Sequence, residues 1–126
     1  MQTMTEESNP ATLRIRLVFG PTEMMGPGKA ELLERIAATG SISAAGRQMD
    51  MSYKRAWLLV ETMNVMFREP VVTSTRGGPG GGGAVLTEAG QRVLALYRDV
   101  ERAAAQVSAE RLDAIRSMLR DMSDGK

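Results

Sequence analysis

The chain has 126 residues, 43% of them hydrophobic, which is enough for one domain with a single core. It contains no cysteine and no histidine, so disulfides, zinc-finger sites, thiol nucleophiles and histidine-based acid–base catalysis are excluded. The net charge is only +1, which argues against a protein that coats nucleic acid without sequence preference.

These exclusions favour a protein that is not an enzyme and that carries no cofactor or metal. No apolar run approaches the roughly 20 residues that span a bilayer. Residues 1–10 are polar and acidic rather than typical of a signal peptide. We therefore expect a cytoplasmic protein without membrane contact.

The first 40 residues predict one strand and one helix. Residues 1–11 show no periodicity and are predicted to be disordered. In the run TLRIRLVF from Thr12, apolar residues recur with the period of two expected of a half-buried strand: Leu13, Ile15, Leu17 and Phe19. After the turn-rich connector GPTEMMGPG, the run KAELLERIAATG predicts a short amphipathic helix that ends at Gly40 and whose apolar stripe is Leu32, Leu33, Ile36 and Ala37.

Residues 40–67, GSISAAGRQMDMSYKRAWLLVETMNVMF, predict two helices joined by a tight turn. The first runs from about Ser43 to Met49, with Ser41 or Ser43 as its N-cap, and residues 50–51 make the turn. Ser52 caps a second, longer helix, on which one stripe recurs at spacings of three and four: Tyr53, Ala56, Trp57, Val60, Met63, Asn64 and Phe67. Trp57, the single tryptophan, is expected in the core.

The N-terminal end of the second helix carries residues suited to DNA recognition. In a helix-turn-helix this end enters the major groove of double-stranded DNA. Lys54 and Arg55 are the strongest candidates, because a long cation reaches a guanine edge or a phosphate. Tyr53 either packs in the core or donates to a phosphate, and Ser52 acts as the cap alone or also as a contact. The DNA contacts predicted on the two helices are Ser43, Arg47, Ser52, Tyr53, Lys54 and Arg55.

A glycine-rich hairpin is predicted after the second helix. The β-prone residues 71–75 and 84–87 flank a tip at residues 77–83. The tip contains no lysine and no helix follows it directly, which disfavours a nucleotide-binding P-loop. Behind a helix-turn-helix such a hairpin suits a wing that contacts a phosphate backbone or a minor groove, through Arg76, Gly77, Gly78 and Gly80. The strand at residues 12–19 is expected to be the third strand of the same sheet.

From Thr87 the sequence predicts one long helix with Thr87 as its N-cap. Its apolar stripe is longer than so small a domain can cover, and exposed stripes of this kind mark interfaces. The residues predicted to form a dimer are Val93, Leu96, Tyr97, Val100, Ala104 and Val107. The alternative is a helix that breaks near Ser108 and folds back on its own domain. The chain is thus expected to divide into a disordered segment 1–11, a DNA-binding domain 12–87 and a dimerisation helix and tail 88–126.

Three runs of sequence resemble a known family. The run GSISAAGRQMDMSYKRAW, the pair Met63 and Asn64, and the run GGPGGGGAVLTEAGQRVLALY are similar to the N-terminal winged-helix domain of ModE, the bacterial molybdate-responsive transcription regulator. The LysR-type regulators share this fold. The resemblance covers about residues 12–107 and implies a dimeric DNA-binding repressor or activator linked to molybdate-related genes. The molybdate-binding domains of ModE lie beyond the winged helix, so we expect no molybdate binding from this chain alone.

The predicted fold is therefore mainly α with a small β-sheet: a winged helix-turn-helix followed by a long C-terminal dimerisation helix. The predicted function is sequence-specific DNA binding by a homodimer on a pseudo-palindromic site. The alternative is a winged-helix module whose basic face binds an acidic protein partner. The salt dependence of DNA binding discriminates between the two, because its slope counts the counterions that are released.

Overall fold

The structure, a computed structural model, describes residues 12–75 and 83–120 of the chain. By their packing, the described residues group into two units, one within residues 15–98 and the other formed by residues 12–14 and 99–120. The described residues are mainly helical, with two antiparallel sheets of two strands each and a long helix at their C-terminal end. This confirms the predicted class, mainly α with a small amount of β-sheet.

Three helices follow one another in the first unit: α1 is Pro27–Thr39, α2 is Ile42–Gln48 and α3 is Tyr53–Met66. Helix α1 ends at Gly40, whose φ of 74° is the left-handed conformation that glycine tolerates best. Of the two candidates for the cap of α2, Ser41 is the cap, because its Oγ accepts from the Ala44 N–H at 3.0 Å. Ser52 caps α3 in the same way, as predicted.

The strands form two separate pairs. Strands β3 (Val72–Thr75) and β4 (Gly83–Leu86) are the two arms of the predicted hairpin. Strand β1 (Leu17–Val18) pairs with β2 (Met24–Met25), so the prediction that residues 12–19 add a third strand to the hairpin is wrong. The segment predicted as a connector turns back at once, with the Phe19 N–H donating to the Glu23 C=O at 2.8 Å. A partner so near in sequence costs less loop-closure entropy than the distant hairpin.

The core of residues 15–98 lies between α1, α3 and the hairpin. It consists of the buried residues Met25, Ala30, Leu32, Leu33, Ile36, Ala45, Ala56, Val60, Met63, Val71, Val72, Ala84, Leu86 and Tyr97. Two expectations about the core are wrong: Ala37 is exposed, and the Trp57 side chain is 42% exposed. Since a helix turns by about 100° per residue, Ala56 and Val60 occupy the centre of the buried stripe of α3 and Trp57 lies at its edge.

Helix α4 spans Glu88–Ser117. Thr87 caps it as predicted, because its Oγ1 accepts from the Gly90 N–H at 2.9 Å. Within the first unit, the Tyr97 hydroxyl donates to the Ile15 C=O at 2.5 Å, and Arg98 forms a two-bond ion pair with Glu34. The helix runs unbroken through Ser108, so the alternative of a break at that residue is wrong.

In the second unit, the described part of α4 from Asp99 onward has no fully buried residue. Asp99 and Arg102 form an ion pair along the helix surface. Apolar side chains are prominently exposed here, including Val107 at 77% and Ile115 at 60%. None of the helices in residues 12–75 and 83–120 is long and apolar enough to cross a membrane.

The start of α4 depends on the absence of a side chain at Gly90. A Cβ at this position would lie 2.1 Å from the carbonyl oxygen of Val71. We therefore expect Gly90→Ala to lower the free energy of unfolding by about 1–3 kcal/mol, as forced overpacking does elsewhere. Urea unfolding measures the difference.

The matched control is Gly28→Ala in α1, where an added Cβ would meet nothing within 4 Å. That variant should be neutral or more stable by up to about 1 kcal/mol, because alanine is the better helix former. Equal losses in the two variants would contradict the close approach of α4 to Val71.

Candidate nucleic-acid interface

Helices α2 and α3 are joined by a turn with a defined backbone. Asp50 has a φ of 59°, and the Met51 N–H donates to the Gly46 C=O at 2.9 Å. Gly46 lies directly against α3, since a Cβ there would be 3.0 Å from the Cβ of Ala56. The two helices therefore pack closely at one point, which fixes where the N-terminal end of α3 projects.

The residues predicted to contact DNA at the start of α3 are brought together and exposed: Ser52, Tyr53, Lys54 and Arg55. Two alternatives were predicted for Tyr53, packing in the core and donating to a phosphate. Its side chain is 54% exposed, which favours the second. Among the described residues, the Lys54 and Arg55 side chains have no ion-pair partner. Both charges are thus available to an anionic ligand.

The two candidates on α2 are linked to each other. The Arg47 guanidinium donates to the Ser43 Oγ at 3.1 Å, so Arg47 lies along the surface of its own helix. Arg47 is exposed and Ser43 is half-buried. This arrangement leaves the guanidinium free to form further hydrogen bonds, since it carries five N–H donors.

A second basic feature adjoins α3. Arg16, Lys29 and Arg55 line a hollow of about 330 Å³ beside the start of α1, and none of the described residues that line it is acidic. Burial, and secondly the charge of Arg16, lower the pKa of Lys29. The Lys29 ammonium donates to the Met24 C=O at 2.8 Å. The positive field around Arg55 is therefore reinforced by cations that lie distant in sequence, which no reading of α3 alone could detect.

One side chain connects α3 to the hairpin. The Asn64 Oδ1 accepts from the backbone N–H groups of Val71 and Val72 at 2.8 and 3.1 Å, and its Nδ2 donates to the Val72 C=O at 3.1 Å. Sequence reasoning missed this role and placed Asn64 on the core stripe. One sequence feature could have indicated this role: Asn64 is a single amide among the apolar residues of the helix face that packs against the hairpin.

A cleft of about 290 Å³ separates α3 from the hairpin. Two predicted contacts, Ser43 and Tyr53, line it, and so does Trp57, which sequence reasoning assigned to the core. The other lining residues are Ser41, Ile42, Ser74, Thr75, Gly83 and Ala84. The predicted contacts of the hairpin tip, Arg76, Gly77, Gly78 and Gly80, lie outside the described residues.

The residues predicted to form a dimer fall into two groups. Val93 and Tyr97 pack in the core of their own chain, and Tyr97 is only 2% exposed. Leu96, Val100 and Val107 are exposed by 49%, 40% and 77%, and Ala104 is half-buried. Tyr97 is buried and Val93 is partly buried, so the second group offers most of the surface available to another molecule.

Comparison with known proteins identifies the relatives of the chain, although no protein-family model matches it. It is 48% identical over 83 residues to the molybdenum-pterin-binding protein MopB of Rhodobacter capsulatus. The matched residues make up 66% of this chain and 31% of MopB. It is 45% identical over 71 residues to the DNA-binding transcriptional dual regulator ModE of Escherichia coli, 56% of this chain and 27% of that protein. Its homologues are ModE and Mop proteins.

A third relative is named for molybdenum transport. The chain is 40% identical over 90 residues to the molybdenum transport protein ModE of Azotobacter vinelandii, 69% of this chain and 33% of that protein. The chain thus spans about a third of the length of the curated relatives it matches.

Replacing Asn64 with alanine removes the partner of two backbone donors and one acceptor at the base of the hairpin. We expect the Asn64→Ala variant to lose about 1–3 kcal/mol of unfolding free energy, the usual cost of leaving partly buried polar groups unpaired. Thermal or urea unfolding gives the value.

Thr62→Ala is the control on the same helix, because the one hydrogen bond of the Thr62 hydroxyl among the described residues goes to the Leu58 C=O within α3. Its effect should stay within about 0.5 kcal/mol, as for most surface changes. If Asn64→Ala were as mild as Thr62→Ala, the connection between α3 and the hairpin would not rest on this amide.

Proposed function

We propose that this chain is a DNA-binding transcription regulator of the ModE type, folded as a LysR-like winged helix-turn-helix. One observation carries the proposal: the exposed N-terminal turn of α3 holds two cations that have no ion-pair partner within residues 12–75 and 83–120, beside a hairpin that the Asn64 amide connects to the same helix. The ModE of Escherichia coli, itself a DNA-binding transcriptional regulator, supports it.

In this proposal α3 is the recognition helix. Its N-terminal turn enters the major groove, where Arg55 or Lys54 forms hydrogen bonds with a guanine edge. Arg47 lies on α2, the helix that crosses the backbone, and contacts a phosphate. The β3–β4 hairpin is the wing and reaches the adjacent groove. The molybdenum transport protein among the relatives suggests target genes of molybdenum uptake.

We further propose that two copies of the chain form a homodimer through α4. This helix has 30 residues, a length of about 45 Å at 1.5 Å per residue. Leu96, Val100, Ala104 and Val107 recur on it at spacings of three and four and therefore share a face. Their exposure is of the kind that marks an interaction surface, and a dimer would hold two recognition helices on two half-sites.

The DNA-binding proposal predicts that Lys54→Ala and Arg55→Ala each weaken binding to duplex DNA. If the cation contacts a phosphate, the variant should reduce the slope of log K against log salt by about one. If it contacts a base, the variant should lose about 1–3 kcal/mol of binding free energy on a specific site. Fluorescence anisotropy of labelled DNA, titrated at several salt concentrations, measures both quantities.

Arg102→Ala provides the matched control, since Arg102 lies on α4 and is paired with Asp99. It should leave the affinity and the slope unchanged. If neither α3 variant lowered the DNA affinity or the salt slope, α3 would not be the recognition helix. Salt-dependent binding of an acidic protein in place of DNA would favour a protein-binding module.

The dimer proposal predicts that Val107→Asp separates the chain into monomers that remain folded, with weaker DNA binding because the two half-sites are no longer held together. Analytical ultracentrifugation measures the mass and circular dichroism the fold. The control is Val65→Asp on α3, where the side chain is 81% exposed, and this variant should stay dimeric. A monomeric mass for the unmodified chain at micromolar concentration would refute the dimer.

A further inference from the structure

Trp57 occupies an unusual position for the single tryptophan of a small domain. It lies on α3 between the buried residues Ala56 and Val60, yet its side chain is 42% exposed. Tyr53, one turn earlier on the same helix, is 54% exposed. A folded chain gains more from burying such rings than from leaving them in water, so their joint exposure on one face indicates a surface that another molecule covers.

The cleft that these rings line combines apolar side chains with hydroxyl groups. Tyr53 and Trp57 supply its apolar wall, and its lining within the described part of the chain contains no acidic residue. Hydroxyl groups come from α2 and from β3, through Ser43, Ser74 and Thr75. The Ser43 and Thr75 oxygens each accept one hydrogen bond, from Arg47 and from the Gly83 N–H, and among the described residues neither hydroxyl donates one, so both can donate to a ligand.

The position of the cleft identifies its occupant if the proposed function is correct, and the inference rests on that function. The cleft lies between α3, which enters the major groove, and the hairpin, which reaches the adjacent groove. In duplex DNA these two grooves are separated by one sugar–phosphate strand, which the cleft must therefore admit. The strand offers deoxyribose to the aromatic wall and phosphate oxygens to the hydroxyls, and phosphate contacts of this kind set the register of a protein on DNA.

We propose that this cleft holds one sugar–phosphate strand of the bound duplex, with Trp57 and Tyr53 packed against deoxyribose and the Ser43, Ser74 and Thr75 hydroxyls donating to phosphate oxygens. Trp57 is then a DNA-contacting residue and a determinant of the angle at which α3 enters the groove. The Arg47 guanidinium, 3.1 Å from the Ser43 Oγ, lies beside the cleft and adds a charge of the sign that the strand requires.

Tryptophan fluorescence reports on Trp57 alone, because the chain has no other tryptophan. The full chain is titrated at low salt with mixed-sequence duplex DNA, where phosphate contacts dominate binding. Trp57 emission should change in proportion to the bound fraction, and the acrylamide quenching constant should fall by about half or more as DNA covers the ring. Anisotropy of labelled DNA records binding independently.

Trp57→Ala should weaken binding about tenfold, a typical loss for a central aromatic contact, and Trp57→Phe should recover part of it. Val65→Ala, at an exposed position on the same helix, should bind as the unmodified chain does. DNA binding that leaves Trp57 emission and quenching unchanged would overturn the inference while the proposed function stands. Absence of DNA binding by the unmodified chain would overturn both. The fluorescence measurement uses the unmodified protein, so the test holds even if Trp57→Ala fails to fold.

Discussion

The arrangement of the candidate site depends on the hydrogen bonds between the Asn64 amide and the backbone of the hairpin. Three hydrogen bonds connect the amide to the backbone of Val71 and Val72, at the point where the chain leaves α3 and enters the hairpin. The same point anchors α4, because the Thr87 hydroxyl donates to the Pro70 C=O at 2.7 Å and the Thr87 N–H to the Val71 C=O at 2.9 Å. One short stretch of backbone thus joins α3, the hairpin and the start of α4.

This junction explains how a domain with few strands can present two surfaces at a fixed separation. Hydrogen bonds from a rigid amide define both distance and direction, whereas apolar contacts alone tolerate repacking. Asn64 attaches α3 to the backbone at the start of the hairpin, and the cleft lies between these same two elements. The close contact of Gly46 with Ala56 then sets how far the N-terminal turn of α3 projects. Preorganisation of this kind lowers the ordering cost of binding any ligand at this surface.

The sequence predicted the elements whose signals are local. The ends of α1, α2 and α3 follow from Gly40, Ser41 and Ser52, because capping depends on residues within one turn. The hairpin follows from two β-prone runs around glycines. The pairing of β1 with β2 could not be predicted, since a two-residue strand has no periodicity. Periodicity located the buried stripe of α3 but not its width, so Trp57 was placed in the core. The role of Asn64 depends on partners that only the folded chain brings near.

The central claim is sequence-specific recognition of DNA by two copies of α3, and selection of bound duplexes from a random DNA pool tests it most directly. The account predicts enrichment of one pseudo-palindromic motif, with half-sites about 10 base pairs apart or at a multiple of that spacing, as two symmetric recognition helices require. Recovery of duplexes without any shared motif, after binding has been verified, would contradict the account and reduce the chain to a nonspecific DNA-binding domain.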